Sequence, residues 1–386
     1  MFKLLKGGEC YSPERIGKKD VLIFNGTICG IENEICEDRL WKVEIHDCRG
    51  MILCPGFIDQ HVHITGGGGE EGAPSRIPGV LLGDILSAGV TTLVGVLGLD
   101  DMTRNIAALC AKAKALESEG ITSYIYTGSY GVPTATLTGK VASDLAFIDK
   151  VIGTGEIAIS DHRSAHPSVD ELKKLAWETH TGGMVGGKAG IVHIHVGDGK
   201  KGLGPLLELL EQSDFPVDMF VPTHLNRNRL LFEQALSYAG SGGNIDLTAG
   251  ETSGKGYGIP EALGMISKSG VEMDRVTVSS DGNGSIPAGK GNAPGVGKVW
   301  QLFEDIRDSI LNGNIPIELA LKTVTANVAR RLGLTPVKGI LSEGSDADIL
   351  VLDRETLNIV RIFAKGQLMA NNGEIIKKGR FEKGNG

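Results

Sequence analysis

No run of eighteen apolar residues occurs anywhere in this chain, so nothing in it reads as a transmembrane helix. The opening stretch from Met1 to Gly8 lacks the continuous apolar segment of a secretion signal. Lysines and arginines nowhere cluster densely enough to make a nucleic-acid face, and the formal charge is -8. The six cysteines (Cys10, Cys29, Cys36, Cys48, Cys54 and Cys110) have no Cys-X-X-Cys spacing, and with no secretion signal they read as reduced thiols. These absences together lead us to expect a cytoplasmic protein with reduced thiols and neither a membrane nor a nucleic-acid partner.

What the chain has in excess is glycine. At 56 of 386 residues its share is roughly twice the usual ~7%, and without a three-residue period it signals many tight loops. An apolar content of 41% supports a large core. The length suits one barrel of about 250 residues with a small accessory domain.

Two textures divide the sequence. Residues 1–53 read as short strands, among them Asp20 to Phe24, Thr27 to Ile31 after an Asn25-Gly26 turn, and the alternating Trp41 to Ile45. From residue 54, short apolar runs alternate with amphipathic stretches. The first run ends at His61 and His63, and the other seven cover Val90 to Leu97, Ile121 to Thr127, Glu156 to Ser160, Gly190 to Val196, Met219 to His224, Ile245 to Ala249 and Val276 to Ser280. Helices are expected over Asp101 to Glu119, 168–180, 203–213, 228–240, 259–269, 297–312 and Pro316 to Leu332. Eight strands alternating with helices predict an α/β fold, a (β/α)8 TIM barrel over residues 54–343. Beyond it the strand texture returns in Asp346 to Leu352, Ile359 to Phe363 and Ile375 to Lys377. Residues 1–53 and 344–386 are therefore expected to join in one small discontinuous β domain, since neither half carries enough apolar surface alone.

The chemistry collects at the strand ends. In Pro55-Gly56-Phe57-Ile58-Asp59-Gln60-His61-Val62-His63 the two imidazoles lie at i and i+2, on one side of a strand. Glu156 opens the fourth run, His195 closes the fifth after His193, His224 closes the sixth, and Asp281 follows the eighth. In a barrel such positions converge on one rim. Four histidines and two carboxylates there can hold two divalent ions, with nitrogen and oxygen ligands suited to Zn2+. Each residue taken singly could be an ordinary satisfied polar group; ending several strands on one rim together is what favours a metal site.

These residues resemble the metal-dependent amidohydrolase superfamily and, within it, the isoaspartyl (β-aspartyl) dipeptidase family. The superfamily likeness rests on Pro55 to Asp59 with His61 and His63. The narrower one rests on Gly66 to Glu70, the Tyr130 loop, Ser160-Asp161-His162-Arg163-Ser164, Pro222 to Asn228, and Ser279 to Gly282 leading to Ser285. The resemblance implies metal ligation by His61, His63, His195, His224 and Asp281, with the bridge at Glu156 and Asp281 also taking the proton of the attacking water. It implies that Glu70 meets the substrate ammonium, that Tyr130 bonds near the scissile carbonyl, and that Arg163, Arg227 and Ser285 hold carboxylates. The charges fit an isoaspartyl dipeptide independently: one ammonium and two carboxylates face one acid and two arginine forks. A homo-oligomer larger than a dimer is implied as well.

Two positions depart from that pattern. Where the family keeps a carboxylated lysine as the bridge, this chain has Glu156, with the same single charge on a shorter side chain. Gly153 and Gly155, with one extra residue just upstream, are expected to let the strand lean inward. Leu99 stands where a threonine lines the family's substrate pocket. Two other readings stay open on residues alone: an amidohydrolase of another amide, such as a cyclic imide or N-acyl amino acid, and a non-catalytic assembly protein on the same scaffold.

Overall fold

The computed structural model describes residues 1–40, 42–251, 254–286 and 295–382. From Phe57 onward strands and helices alternate. Eight strands run over Phe57–Val62, Val90–Gly95, Thr122–Thr127, Val151–Ile159, Ile191–Val196, Phe220–Thr223, Ile245–Thr248 and Val276–Ser279. Almost every residue in them is buried, which is the pattern of a parallel sheet covered on both faces. The first six pair side by side in chain order, all parallel. The seventh and eighth form a second parallel pair. At one seam the Leu225 N–H donates to the Asp246 carbonyl at 3.3 Å; at the other the His63 N–H donates to the Gly282 carbonyl at 2.8 Å.

Each strand is followed by a helix, from Leu82–Ser87 after the first to Gln301–Leu311 after the eighth. The helices begin where local chemistry allows. Asn105 and Asn228 accept the N–H groups of Ala108 and Leu231, and Ser168 with Glu171 forms a reciprocal cap, so three helix starts are satisfied by their own side chains. Apolar faces then pack outward-facing strand residues, as Phe57 does against Phe303 at 5.8 Å between ring centroids. Among these strands a separate cluster of Ile58, Val94, Tyr126, Ile152 and Val221 packs against Val328.

Strands from both ends of the chain share one nine-stranded sheet. Met51–Pro55 sits at its middle, between Phe2–Tyr11 and the antiparallel Ile349–Asp353. That strand leads straight into the first inner strand through Gly56. A Cβ there would fall 2.2 Å from the Thr91 hydroxyl oxygen, so the close approach of the two strands requires glycine. A buried latch ties the terminal sheet to the inner strands: Lys338 Nζ donates to Thr122 at 2.6 Å and to Asp348 at 2.6 Å.

Several expectations shift. The strand Phe2–Tyr11 was not foreseen, because its glycines and lysines break the apolar pattern. The helix expected from Asp101 begins at Ile106, after an Asp100–Thr103 turn, and the fourth helix runs on to Gly186. Pro316 to Leu332 is two short helices, Ile317–Lys322 and Ala326–Arg331. Strands replace the expected Trp41 to Ile45 and Asp346 to Leu352 with Val43–Asp47 and Ile349–Asp353; Trp41 itself lies outside the described residues. No helix among the described residues is long and apolar enough to cross a membrane.

Candidate metal centre and substrate pocket

His61 and His63 lie at the end of the first strand with ring centroids 5.4 Å apart, as their i, i+2 spacing requires. Glu156 does not open its strand, contrary to the sequence reading: Val151–Ile159 begins five residues earlier, and the two intervening glycines disguise its apolar start. Between Thr154 and Ile157 the strand carries one more residue than its neighbour, a bulge that falls on Gly155 and Glu156. The shorter side chain thus sits on a locally displaced backbone.

Glu156 then stands between two pairs of imidazoles. Its Oε1 is 3.5 Å from Nε2 of both His61 and His63. Its Oε2 is 3.2 Å from Nδ1 of His195 and 3.7 Å from Nε2 of His224. Asp281 Oδ1 closes the first group, 3.4 Å from His61 Nε2 and 3.1 Å from His63 Nε2. Two sets of ligand atoms, His61–His63–Glu156 and Glu156–His195–His224, each lie within 4.8 Å of one another and share the glutamate. His61 Nε2 and Glu156 Oε1 are buried with no hydrogen-bond partner among the described residues. Orphaned, convergent donors of this kind fit a divalent ion.

Electrostatics follow from crowding. Burial alone would raise the Glu156 carboxyl, but the charge of His61 and the close imidazoles of His195, His224 and His61 outweigh it and hold it well below the usual range. Burial opposes protonation of His61, yet Glu156, Asp281 and Asp246 lift it to about 9. His193 and His224 are held low, chiefly by burial.

The remaining predicted residues line one pocket with His63, His195 and Asp281: Glu70, Leu99, Tyr130, Arg163, Arg227 and Ser285. The Tyr130 hydroxyl is 2.9 Å from His195 Nδ1, and the Arg163 guanidinium lies over the Tyr130 ring at 5.4 Å. Glu70 Oε1 accepts from the Ser285 hydroxyl at 2.6 Å and from Arg163 at 3.4 Å. Ser285, expected on a substrate carboxylate, here meets the acid instead. Arg227 donates to the Val196 carbonyl at 3.3 Å and faces Glu251 at 3.7 Å.

Sequence reasoning missed the residues behind this set. His193 Nε2 is 2.8 Å from Nδ1 of His61 and its ring stacks on Tyr126; its place two residues before His195 was the available signal. Thr248 Oγ1 is 2.7 Å from Nδ1 of His224. Arg104 donates to the Gly67 carbonyl at 2.8 Å and to Asp100 at 2.7 Å, pinning the glycine loop that carries Glu70. Nothing in the sequence marks these last contacts.

The amidohydrolase family model matches residues 52–377. A crystal structure of β-aspartyl dipeptidase from the thermophilic keratin-degrading Fervidobacterium islandicum AW-1, in complex with a β-Asp-Leu dipeptide, is 43% identical. It covers 99% of this chain and 100% of its own, with a TM-score of 0.92. Dihydropyrimidinase from Brevibacillus agri NCHU1002 shares the fold at 15% identity and a TM-score of 0.70, over 98% and 97% of the two chains. Adenine deaminase from Geobacillus kaustophilus (strain HTA426) is 24% identical over 93% of this chain, which spans only 59% of that relative's length. The chain belongs to the amidohydrolase family, and within it to the group of the β-aspartyl dipeptidases.

Proposed function

We propose that the protein hydrolyses the β-linked isopeptide bond of isoaspartyl dipeptides at a centre of two divalent ions, best served by Zn2+, with Glu156 as the bridge. The single observation that carries the reading is Glu156 turning one oxygen to His61 and His63 and the other to His195 and His224. His61, His63 and Asp281 would hold one ion, His195 and His224 the other. Such ions, when bound, supply polarisation of the amide carbonyl and a low-pKa water at neutral pH.

The chain's own residues do the rest. Asp281, held ionised against burial by His63, His61 and His224, accepts the proton of the attacking water and passes it to the leaving amine. Burial, reinforced by Glu156, keeps the Tyr130 phenol protonated, so it donates toward the carbonyl as negative charge develops there. Arg163 and Arg227 take the two substrate carboxylates, and Glu70 the ammonium. A cyclic imide has no such charges to offer, which weakens that alternative. The β-Asp-Leu dipeptide bound by the Fervidobacterium islandicum protein carries all three charges, which supports the same substrate class here.

We extend the proposal to the architecture: the eight strand–helix units close as a (β/α)8 barrel over residues 54–343, and residues 1–53 with 344–386 make a discontinuous β domain. The hydrogen bonds at both seams and the shared terminal sheet support it.

Zinc-loaded protein should cleave β-Asp-Leu and leave α-Asp-Leu intact. Hydrolysis of dihydroorotate or hydantoin in place of β-Asp-Leu would sink the dipeptidase reading.

A further inference from the structure

Asp161 is buried in the turn after the fourth inner strand and has no part in the steps above. Its carboxylate is shared between two functional groups. Oδ2 lies 2.9 Å from Nε2 of His195 and 2.9 Å from Nη2 of Arg163. Oδ1 accepts from Arg163 Nε at 3.0 Å and from the Arg163 backbone N–H at 2.8 Å. The other titratable neighbour, His162, is 3.3 Å away but points to solvent.

The local chain is shaped around this carboxylate. The Ser164 N–H donates to the Asp161 carbonyl at 3.0 Å, and the Ser160 hydroxyl donates to the Gly202 carbonyl at 2.7 Å. Gly197 passes so close that a Cβ on it would fall 2.5 Å from the Cβ and Oδ2 of Asp161. The turn is therefore locked from the neighbouring strand's loop.

Two consequences follow. An ionised carboxylate only accepts, so the His195 nitrogen beside it must carry the hydrogen, leaving the lone pair at Nδ1. Nδ1 is the nitrogen that faces Glu156, at 3.2 Å, with the Tyr130 hydroxyl oxygen 2.9 Å away. Meanwhile the fork formed by Nε and Nη2 of Arg163 is occupied, so Nη1 is the corner left toward the pocket, 3.4 Å from Glu70.

Resting on the dipeptidase reading, we propose that Asp161 is a positioning residue that sets His195 for the metal and Arg163 for a substrate carboxylate at once. A plain counterion of Arg163 would do only the second.

The test uses full-length protein and two variants, Asp161→Ala and Arg163→Ala. Zinc affinity is read by competition with a chromophoric chelator, and KM and kcat on β-Asp-Leu. Loss of Asp161 should weaken the less tightly held zinc by roughly 10–100-fold and raise KM as well. Loss of Arg163 should raise KM and leave zinc affinity at the wild-type value. Should Asp161→Ala fail to fold, Asp161→Asn keeps the shape without the charge and must still move both readouts. Wild-type zinc affinity in the Asp161 variants, or a KM they leave unchanged, overturns the proposal. A wild type that binds zinc but does not cleave β-Asp-Leu would instead sink the dipeptidase reading, while the zinc arm still judges the His195 half of this one.

Discussion

A Cβ placed on Gly155 would lie 2.7 Å from the Cβ of His193 and 2.7 Å from its carbonyl oxygen. The fourth and fifth inner strands meet there with no room for a side chain, one residue before the shared carboxylate. Gly155→Ala should therefore force the strands apart, an overpacking cost of about 1–3 kcal/mol, and carry Glu156 with them. Thermal unfolding with zinc titration checks this: a lower Tm together with weakened zinc binding is expected.

His193 should behave as an orienting residue for His61. It is fully buried, its Nε2 meets His61 Nδ1 at 2.8 Å, and burial keeps its ring neutral. His193→Phe preserves the stack on Tyr126 but deletes the hydrogen bond. Zinc affinity or turnover should fall about 10–100-fold, the usual effect of removing such a partner, with secondary structure by circular dichroism unchanged.

These two cases show what the sequence could and could not reveal. His61, His63, His195, His224, Asp281 and Glu156 were legible because they fall at or near the ends of apolar runs, and a barrel gathers such ends on one rim. The Glu156 position was legible, its geometry was not: two glycines hid the first half of its strand, and only three-dimensional pairing exposes the bulge. His193 and Asp161 sit inside motifs that were read for other residues, and their roles depend on which ring nitrogen faces which partner. Arg104 acts on backbone carbonyls, which no sequence pattern records.

Arg227 should matter for substrate more than for folding. Breaking one side of a buried arginine–carboxylate pair costs about 2–5 kcal/mol, so Arg227→Met should lower kcat/KM at least roughly thirty-fold. Steady-state kinetics beside a melting curve decides it. A variant that unfolds yet keeps its specific activity would assign the arginine to structure.

Lys338 should matter for stability and not for catalysis. Buried, it reaches Asp346 at 2.7 Å and Asp348 at 2.6 Å as well as Thr122, so it links the terminal sheet to the inner strands. Lys338→Met leaves a buried carboxylate uncompensated and should cost about 3–5 kcal/mol. Burial pulls the lysine pKa down, but Asp348 and Asp346 more than reverse this, so the folded value lies above the unfolded one. The latch is then fully present below about pH 10.4 and lost as pH climbs through the folded pKa, so wild type and variant should converge only in that alkaline range. Urea unfolding across pH 6–11 reads the difference.

Glu156 is proposed to supply a permanent bridging charge at the position where the sequence resemblance implies a carboxylated lysine. The most direct measurement is zinc content per chain by mass spectrometry, after reconstitution in buffer stripped of carbon dioxide, for wild type and Glu156→Ala. Wild type should take up two ions without bicarbonate, and the variant should fail to hold the second. Two tightly held ions in the variant, or a wild type that loads only when bicarbonate is added, would contradict the account.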